Sequence, residues 1–256
     1  MSSWALVTGA TAGIGESFSR LLASNRYNIV LVARDLPRLQ ERAQGLEAKY
    51  GVQTHVIQAD LATDEGCLKI EKYIAENQID VLINNAGFGT NKAFTMSTLE
   101  IEQQLLDVLV RTPMRLMHVA LPLMKERNNG VIINVSSVAG YIAGGSYSAS
   151  KSYLTVLSES LHTEMSGTAI KISALCTGFT RTEFHERGRM RMNGLPKFMW
   201  LSADRVVLQA WKENQKGEVL SVPGWQYLIL STVSRFGPRP LVRKLGMNVR
   251  VRQRQK

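Results

Sequence analysis

The sequence predicts an α/β protein: a single-domain doubly wound parallel sheet with helices on both faces. Three observations predict it. Short apolar runs recur at Ala5–Thr8, Asn28–Ala33 and Asp80–Asn84, and strands this apolar belong to parallel sheets covered on both sides. Charged segments of helical character, such as 35–50, separate them, as crossover connections between parallel strands require. The first run ends in a glycine cluster, Gly9-Ala-Thr-Ala-Gly13-Ile-Gly15, directly before a helical stretch at 16–23. At 256 residues the chain is long for one domain, but α/β units of this size form around one sheet. No repeat or linker divides it.

The first strand, glycine turn and helix form an arrangement that lets backbone N–H groups and a helix N-terminus receive a pyrophosphate. Gly9 would allow the tight turn, Gly13 the close approach of phosphate, and Gly15 the close packing of helix on strand. The second strand ends at Arg34-Asp35, nineteen and twenty residues after Gly15. An acidic residue at this place takes the ribose hydroxyls of NAD, whereas an arginine accommodates the 2′-phosphate of NADP. Arg34 leaves the strand first and predicts NADP(H); Asp35 is a competent N-cap for the next helix. Residues 53–58 make the third strand, which delivers Asp60 and Leu61. The fourth closes on Asn84-Asn85-Ala86-Gly87.

Further on, Tyr147 and Lys151 are four residues apart, so a helix from Gly145 onward puts them on one face. A phenol beside an ammonium is a proton-transfer device. At roughly 4 Å and an effective dielectric near 20 the charge is worth about 4 kcal/mol, enough to lower the phenol pKa by about 3. Burial opposes this, so only part survives. Ser137 would steady the oxygen that changes charge. Without context the pair reads as a packed aromatic and a solvated cation, and its meaning must come from elsewhere in the chain.

Residues 183–200 are rich in methionine, arginine and aromatics. Met190, Met192, Phe198, Met199 and Trp200 suggest an adaptable apolar pocket, or the packing of a helix pair. A helix at 202–216 and a last strand at 218–223 follow. The segment 225–236 is an apolar helix candidate too short to span a bilayer, followed by a basic end. It reads as an interfacial segment or as a contact with a second subunit.

The net charge of +10 is unevenly placed: residues 1–218 carry +2 and the remainder +8. The basicity therefore belongs to the tail, which argues against a nucleic-acid groove in the body. Peripheral contact with an inner membrane surface through the tail is one expectation. Two cysteines, Cys67 and Cys176, make no disulfide framework, which suits a cytoplasmic location. No spacing suggests a metal site, and the N-terminus lacks a signal-like run.

Taken in order, Thr8-Gly-x-x-x-Gly13-x-Gly15, Asp60, Asn84-Asn-Ala-Gly87, Ser137, Tyr147-x-x-x-Lys151 and Gly178 with Thr182 resemble the short-chain dehydrogenase/reductase family. Each motif is weak alone; the ordered set is specific, and it spans residues 4–223. The resemblance implies a Rossmann-fold NAD(P)-binding domain over 1–224 that includes a substrate loop at 183–200, with 225–256 as an appended helix and tail. It implies Ser137, Tyr147 and Lys151 as catalytic residues. Asp60 would contact the adenine amino group, Asn85, Ala86 and Gly87 would support the adenosine side, and Lys151 would hold the nicotinamide ribose. Thr182 would meet the carboxamide, and Thr11, Ile14, Leu61, Gly178 and Thr180 join the cofactor-binding set. The implied activity is NADP(H)-dependent hydride transfer to or from a carbonyl or alcohol of an apolar small molecule, in a homodimer or homotetramer.

Two positions depart from the family pattern. Leu109 stands where the family has an asparagine that supports a water relay to the lysine. That motivates an alternative, a nucleotide-binding or regulatory protein with impaired catalysis. Cys176 precedes Thr177-Gly178 where the family has Pro-Gly, which frees φ and restores an N–H at a cost or gain of ~1 kcal/mol. The loop from Ser137 to Tyr147 is also short for the family.

Overall fold

The computed structural model of the chain describes residues 3–90, 92–188, 190, 196–240 and 242–243. Its elements in chain order begin β1 (Trp4–Thr8), α1 (Gly13–Ser24), β2 (Asn28–Ala33), α2 (Leu36–Tyr50), β3 (Thr54–Gln58), α3 (Asp64–Glu76) and β4 (Val81–Asn84). There follow α4 (Leu99–Leu106), a π-helical turn at Asp107–Arg111, α5 (Thr112–Glu126), β5 (Gly130–Ser137), α6 (Ser146–Glu164) and β6 (Ile170–Thr177). The last are β7 (Thr180–Arg181), α7 (Phe184–Arg187), β8 (Leu201–Ser202), α8 (Ala203–Gln215), β9 (Leu220–Ser221) and α9 (Trp225–Phe236).

Seven strands form one sheet in the order β3-β2-β1-β4-β5-β6-β9, every pairing parallel. The predicted doubly wound sheet is thus present, with its chain reversal between β1 and β4. Strand periodicity sorts the side chains. Ala5, Val7, Ile29, Leu31 and Ile83 pack under α1, α2 and α8 with Phe18, Leu39 and Val206. The alternate residues Leu6, Val30, Leu82 and Ile132 pack under α3, α5 and α6 with Ile70, Leu116 and Leu154. Burying a side chain of this size stabilises by about 1.5–3 kcal/mol, so the two apolar layers dominate the fold.

Local signals set the ends of the elements. Asp35 caps α2 by accepting from Arg38 N at 3.1 Å, Thr63 caps α3 through Gly66 N at 3.1 Å, and Ser202 caps α8 through Arg205 N at 3.3 Å. The expected last strand at 218–223 shrinks to two residues, because only Ala174 and Leu175 of β6 find register partners there. A second small sheet, β7 with β8, folds back over the carboxyl edge of the main one; it has no counterpart in the sequence reading.

One polar layer interrupts the core beneath this edge. Asn84 donates to Asn134 Oδ1 at 2.8 Å, and Asn134 donates to Ser158 Oγ at 2.8 Å, which donates to Leu154 O at 2.6 Å. All three side chains are buried, and the chain of bonds locks β4 and β5 to α6. Replacing Asn134 by Ala orphans the Asn84 amide and removes a donor to Ser158. Each orphaned group costs about 1–3 kcal/mol, so Asn134→Ala should lower the urea midpoint with an unchanged m-value, in equilibrium unfolding followed by circular dichroism.

Candidate active site

At the carboxyl edge, the switch point between β1 and β4 is closed by a knot of hydrogen bonds. Thr8 Oγ1 accepts from Asn85 N at 2.9 Å and Ala86 N at 3.0 Å and donates to Ile83 O at 3.2 Å. Asn85 Nδ2 returns to Thr8 O at 2.8 Å. Gly9 turns the chain with φ +66°, a left-handed conformation that glycine adopts without strain. A Cβ on Gly15 would lie 2.3 Å from the Gly9 carbonyl oxygen and 2.4 Å from Asn85 Nδ2, which is the close packing expected there. No side chain caps α1. Its first N–H groups, at Gly13, Ile14 and Gly15, are left for an anion.

The other expected cofactor residues line the same edge. Arg34 is exposed one residue beyond β2 and makes no side-chain ion pair among the described residues. Asp60 uses one carboxylate oxygen to accept from Ala62 N at 3.1 Å. Leu61 is buried, so only its main chain reaches the edge, and its carbonyl accepts from Thr112 Oγ1 at 2.7 Å. Thr11 is buried, with its carbonyl facing Arg42 Nε at 3.4 Å. Gly87 lies between Leu109 and the Lys151 ammonium. Thr182 approaches Gly13 so closely that a Cβ there would meet its methyl at 2.8 Å. Thr180 is buried and donates to Gly178 O at 3.1 Å. A dinucleotide fits this lining: an uncapped helix end for the pyrophosphate, a carboxylate beyond β3 and a free guanidinium beyond β2.

Tyr147 and Lys151 fall in the first two turns of α6, one turn apart as predicted. Lys151 Nζ lies 5.7 Å from the centre of the Tyr147 ring and donates to Val135 O at 2.6 Å. Its backbone carbonyl accepts from Ser136 Oγ at 2.8 Å. Ser137, at the end of β5, donates to Thr177 O at 3.2 Å and accepts from Ala139 N at 3.1 Å. The electrostatics differ from the sequence expectation. Burial pushes the Tyr147 phenol up to about 12, and only contact with the Ser137 hydroxyl works against that rise. Burial likewise pushes Lys151 down to about 8. Desolvation thus outweighs any pull of the ammonium on the phenol, and the ammonium itself is bonded to the Val135 carbonyl.

Leu109 is buried in the π-helical turn. It lines a narrow internal cavity with Thr8, Asn84, Ala86, Val135 and Lys151, into which it brings no polar atom. Asn84 Oδ1, buried and without a protein partner, belongs to the same lining. Cys176 is buried, and its thiol sits 3.3 Å from the Tyr141 hydroxyl and 3.8 Å from Thr155 Oγ1. Burial raises both the Cys176 thiol and the Tyr141 phenol, so the residue is a packing partner beneath α6.

Above the pair stands an aromatic wall. Phe184 is 5.9 Å from the Tyr147 ring, His185 is 5.4 Å from Phe184, and Trp200 is 5.3 Å from His185. His185 Nδ1 is buried without a partner among the described residues, and burial lowers its pKa. Met190 packs against Gly89 and Gly188. Phe198 departs from the predicted pocket: it is exposed and stacks on Trp225, ring centres 6.5 Å apart. Met192 lies outside the described residues. The sequence reading also missed Glu183, which binds Arg38 of α2 through two bonds of 2.8 and 3.1 Å and Arg187 at 2.5 Å.

A family model described as short chain dehydrogenase matches residues 3–192. The chain belongs to that family. It is therefore an oxidoreductase-family protein with a nucleotide-binding Rossmann fold. A relative named very-long-chain 3-oxoacyl-CoA reductase-A, from Danio rerio, is 28% identical over 99% of this chain and 80% of its own length. The rat protein named very-long-chain 3-oxoacyl-CoA reductase is 31% identical over 72% of this chain and only 61% of its own. Among solved structures, a short-chain dehydrogenase from Sphingobium yanoikuyae in complex with NADPH superposes with a TM-score of 0.84. It is 28% identical, over 99% of this chain and 98% of that one.

The Lys151 environment carries a pH signature. Below about pH 8 the lysine is charged in folded and unfolded chains alike, and the full cost of burying the ammonium is present. Between about 8 and the ordinary lysine value the folded protein has lost the proton while the unfolded chain keeps it, so stability rises with pH. The gain is on the order of 3 kcal/mol. Lys151→Met removes this dependence. The melting temperature of the cofactor-free wild type relative to that variant should climb between pH 7 and pH 10; differential scanning calorimetry across the range checks it.

Proposed function

We propose that this protein is an NADP(H)-dependent oxidoreductase that transfers hydride between the nicotinamide and a carbonyl or alcohol of a largely apolar molecule. The observation that carries the reading is the Tyr147 phenol, in contact with the Ser137 hydroxyl, one helical turn from Lys151 and on the same sheet edge as the uncapped end of α1. The nicotinamide supplies or accepts the hydride when bound. Tyr147, protonated at neutral pH, gives its proton to the carbonyl oxygen as charge develops there, which suits reduction. Ser137, on turning its hydroxyl away from Thr177 O, donates a hydrogen bond to the same oxygen. Lys151 holds the cofactor side of the site, with Gly87 beside it.

Arg34 supports NADP over NAD, since a free guanidinium at that strand end suits a phosphate. The NADPH complex of the Sphingobium relative points the same way. The aromatic wall from Phe184 to Trp200 supports an apolar substrate, as does the very-long-chain acyl substrate in the name of the zebrafish relative. Exposed apolar side chains at Phe94, Met96, Leu99 and Val156 support a homo-oligomer. Cys67 and Cys176, both buried and unbridged, support a reducing, cytoplasmic setting.

A second reading, a nucleotide-binding protein without efficient turnover, is favoured by Leu109, which gives the Lys151 cavity an apolar wall. Tyr147→Phe separates the two. Under the first reading it should cost at least about 10²-fold in kcat while NADPH affinity stays unchanged, because the hydroxyl acts only as charge develops. Stopped-flow NADPH oxidation over a panel of ketones and 3-oxoacyl thioesters is the measurement. A wild type that binds NADPH and turns over no member would support the second.

Arg34→Ala should weaken NADPH roughly ten- to hundredfold, matching a charged hydrogen bond of about 1.5–3 kcal/mol. NADH affinity should be unchanged. Calorimetric titration of both cofactors reads this out, and equal wild-type affinities would overturn the NADP assignment.

A further inference from the structure

Helix α9 is turned inside out. The stripe it buries is Tyr227, Ser231 and Ser234, at 0%, 4% and 1% exposure. The face it presents outward is Trp225 (69%), Leu228 (55%), Ile229 (57%), Val233 (46%) and Phe236 (81%). At 3.6 residues per turn these five project over one continuous arc, with Arg235 at its border. Phe198 extends the patch by stacking on Trp225. A contiguous apolar surface of this kind on a folded protein marks an interaction site.

Charge selects the occupant. No acidic residue occurs after Glu218, whereas eight basic residues do. Arg239 and Arg243 are exposed just beyond the helix. Arg235 reaches Glu159 of α6 at 3.4 Å and lies over the Phe236 ring, at the edge of the apolar arc. Pairing two copies of this face would set one cationic segment against another, since a two-fold contact brings the same patch to both sides. A lipid surface with anionic headgroups satisfies both features: the apolar arc enters the acyl boundary and the cations meet the headgroups. Among the described residues no helix is long and apolar enough to cross a membrane, so the geometry is that of a helix lying in the interface plane.

We propose that α9, with Phe198 beside it, docks the protein on an anionic lipid surface. The docked face is joined to the candidate active site. Phe179 N donates to Tyr227 Oη at 2.9 Å, Tyr227 Oη donates to Met199 O, and Gln226 Nε2 donates to Phe198 O at 3.0 Å. Phe179 continues to Trp200 at 6.0 Å, the far end of the aromatic wall that reaches Tyr147. On the reading of an apolar substrate given above, docking would hold the aromatic wall one helix away from the bilayer in which such a substrate dissolves.

The test uses the full-length protein and sedimentation with vesicles of phosphatidylglycerol and phosphatidylcholine in equal parts, against phosphatidylcholine alone. Partition should be at least roughly tenfold stronger on the anionic vesicles and weaken as salt screens the charges. The double variant Ile229→Ser, Phe236→Ser, both exposed and remote from the fold's core, should lose about tenfold while keeping wild-type NADPH binding and melting temperature. Brominated lipid should quench wild-type fluorescence and leave Trp225→Phe far less affected. Wild type that stays in solution at low salt, equal partition of the double variant, or a fall in oligomeric mass caused by that variant would each overturn the proposal. None of these readouts requires turnover, so failure here leaves the catalytic reading standing, and failure of that reading leaves this one.

Discussion

The Asn85 side chain ties the carboxyl ends of β1 and β4 together, and the rest of the site depends on that tie. By bonding to the Thr8 and Gly9 carbonyls at 2.8 and 3.2 Å, it fixes where the chain leaves β1 and hence where α1 begins. The N–H groups of α1 face the edge because Gly9 turns there and Gly15 lets the helix settle onto the Gly9 carbonyl. Parallel pairing does the remainder. Every strand ends at the same edge, so Arg34 after β2, Asp60 after β3, Ser137 at the end of β5 and Gly178 after β6 are delivered to one line by register alone. Residues far apart in sequence converge without any contact made for the purpose.

Desolvation governs the chemistry at that edge more than charge pairing does. A half-buried phenol beside a buried ammonium can, like it, escape the cost of desolvation by staying neutral, and both shifts run in that direction. Geometry decides the contest. The Lys151 ammonium donates to Val135 O and lies 5.7 Å from the centre of the Tyr147 ring, so part of its charge is answered by a carbonyl. The phenol is accordingly raised rather than lowered.

Much of this was legible in the sequence, for physical reasons that also explain what was not. Strand-and-glycine patterns are local, so Gly9, Gly13 and Gly15, the Tyr147–Lys151 spacing and the Asp35 cap could be read directly and stand where they were expected. The Arg38–Glu183 pair joins residues 145 apart in sequence, and neither side chain carries any local mark of the other. The layer Asn84, Asn134 and Ser158 was hidden because an asparagine in an apolar strand looks like a strand end until its partner is known. Phe198 was misplaced because hydrophobicity says that a side chain avoids water but not which surface covers it. The lysine's effect on Tyr147 was overestimated because spacing gives proximity along a helix and not the direction of an ammonium.

Among the described residues, the chain that follows β6 is held by two contacts of different kinds. Tyr227 lies against Gly178 so closely that a Cβ would fall 2.1 Å from its ring, and its hydroxyl bridges Phe179 and Met199. That contact is buried and stiff. Nearer the glycine turn, Glu183 is held by Arg38 and Arg187, and the pairs are partly exposed to solvent. The arginines hold the carboxyl down to about 2, yet exposed pairs of this type contribute only about 0–1 kcal/mol. The Tyr227 anchor, shared with α9, is therefore the stronger of the two.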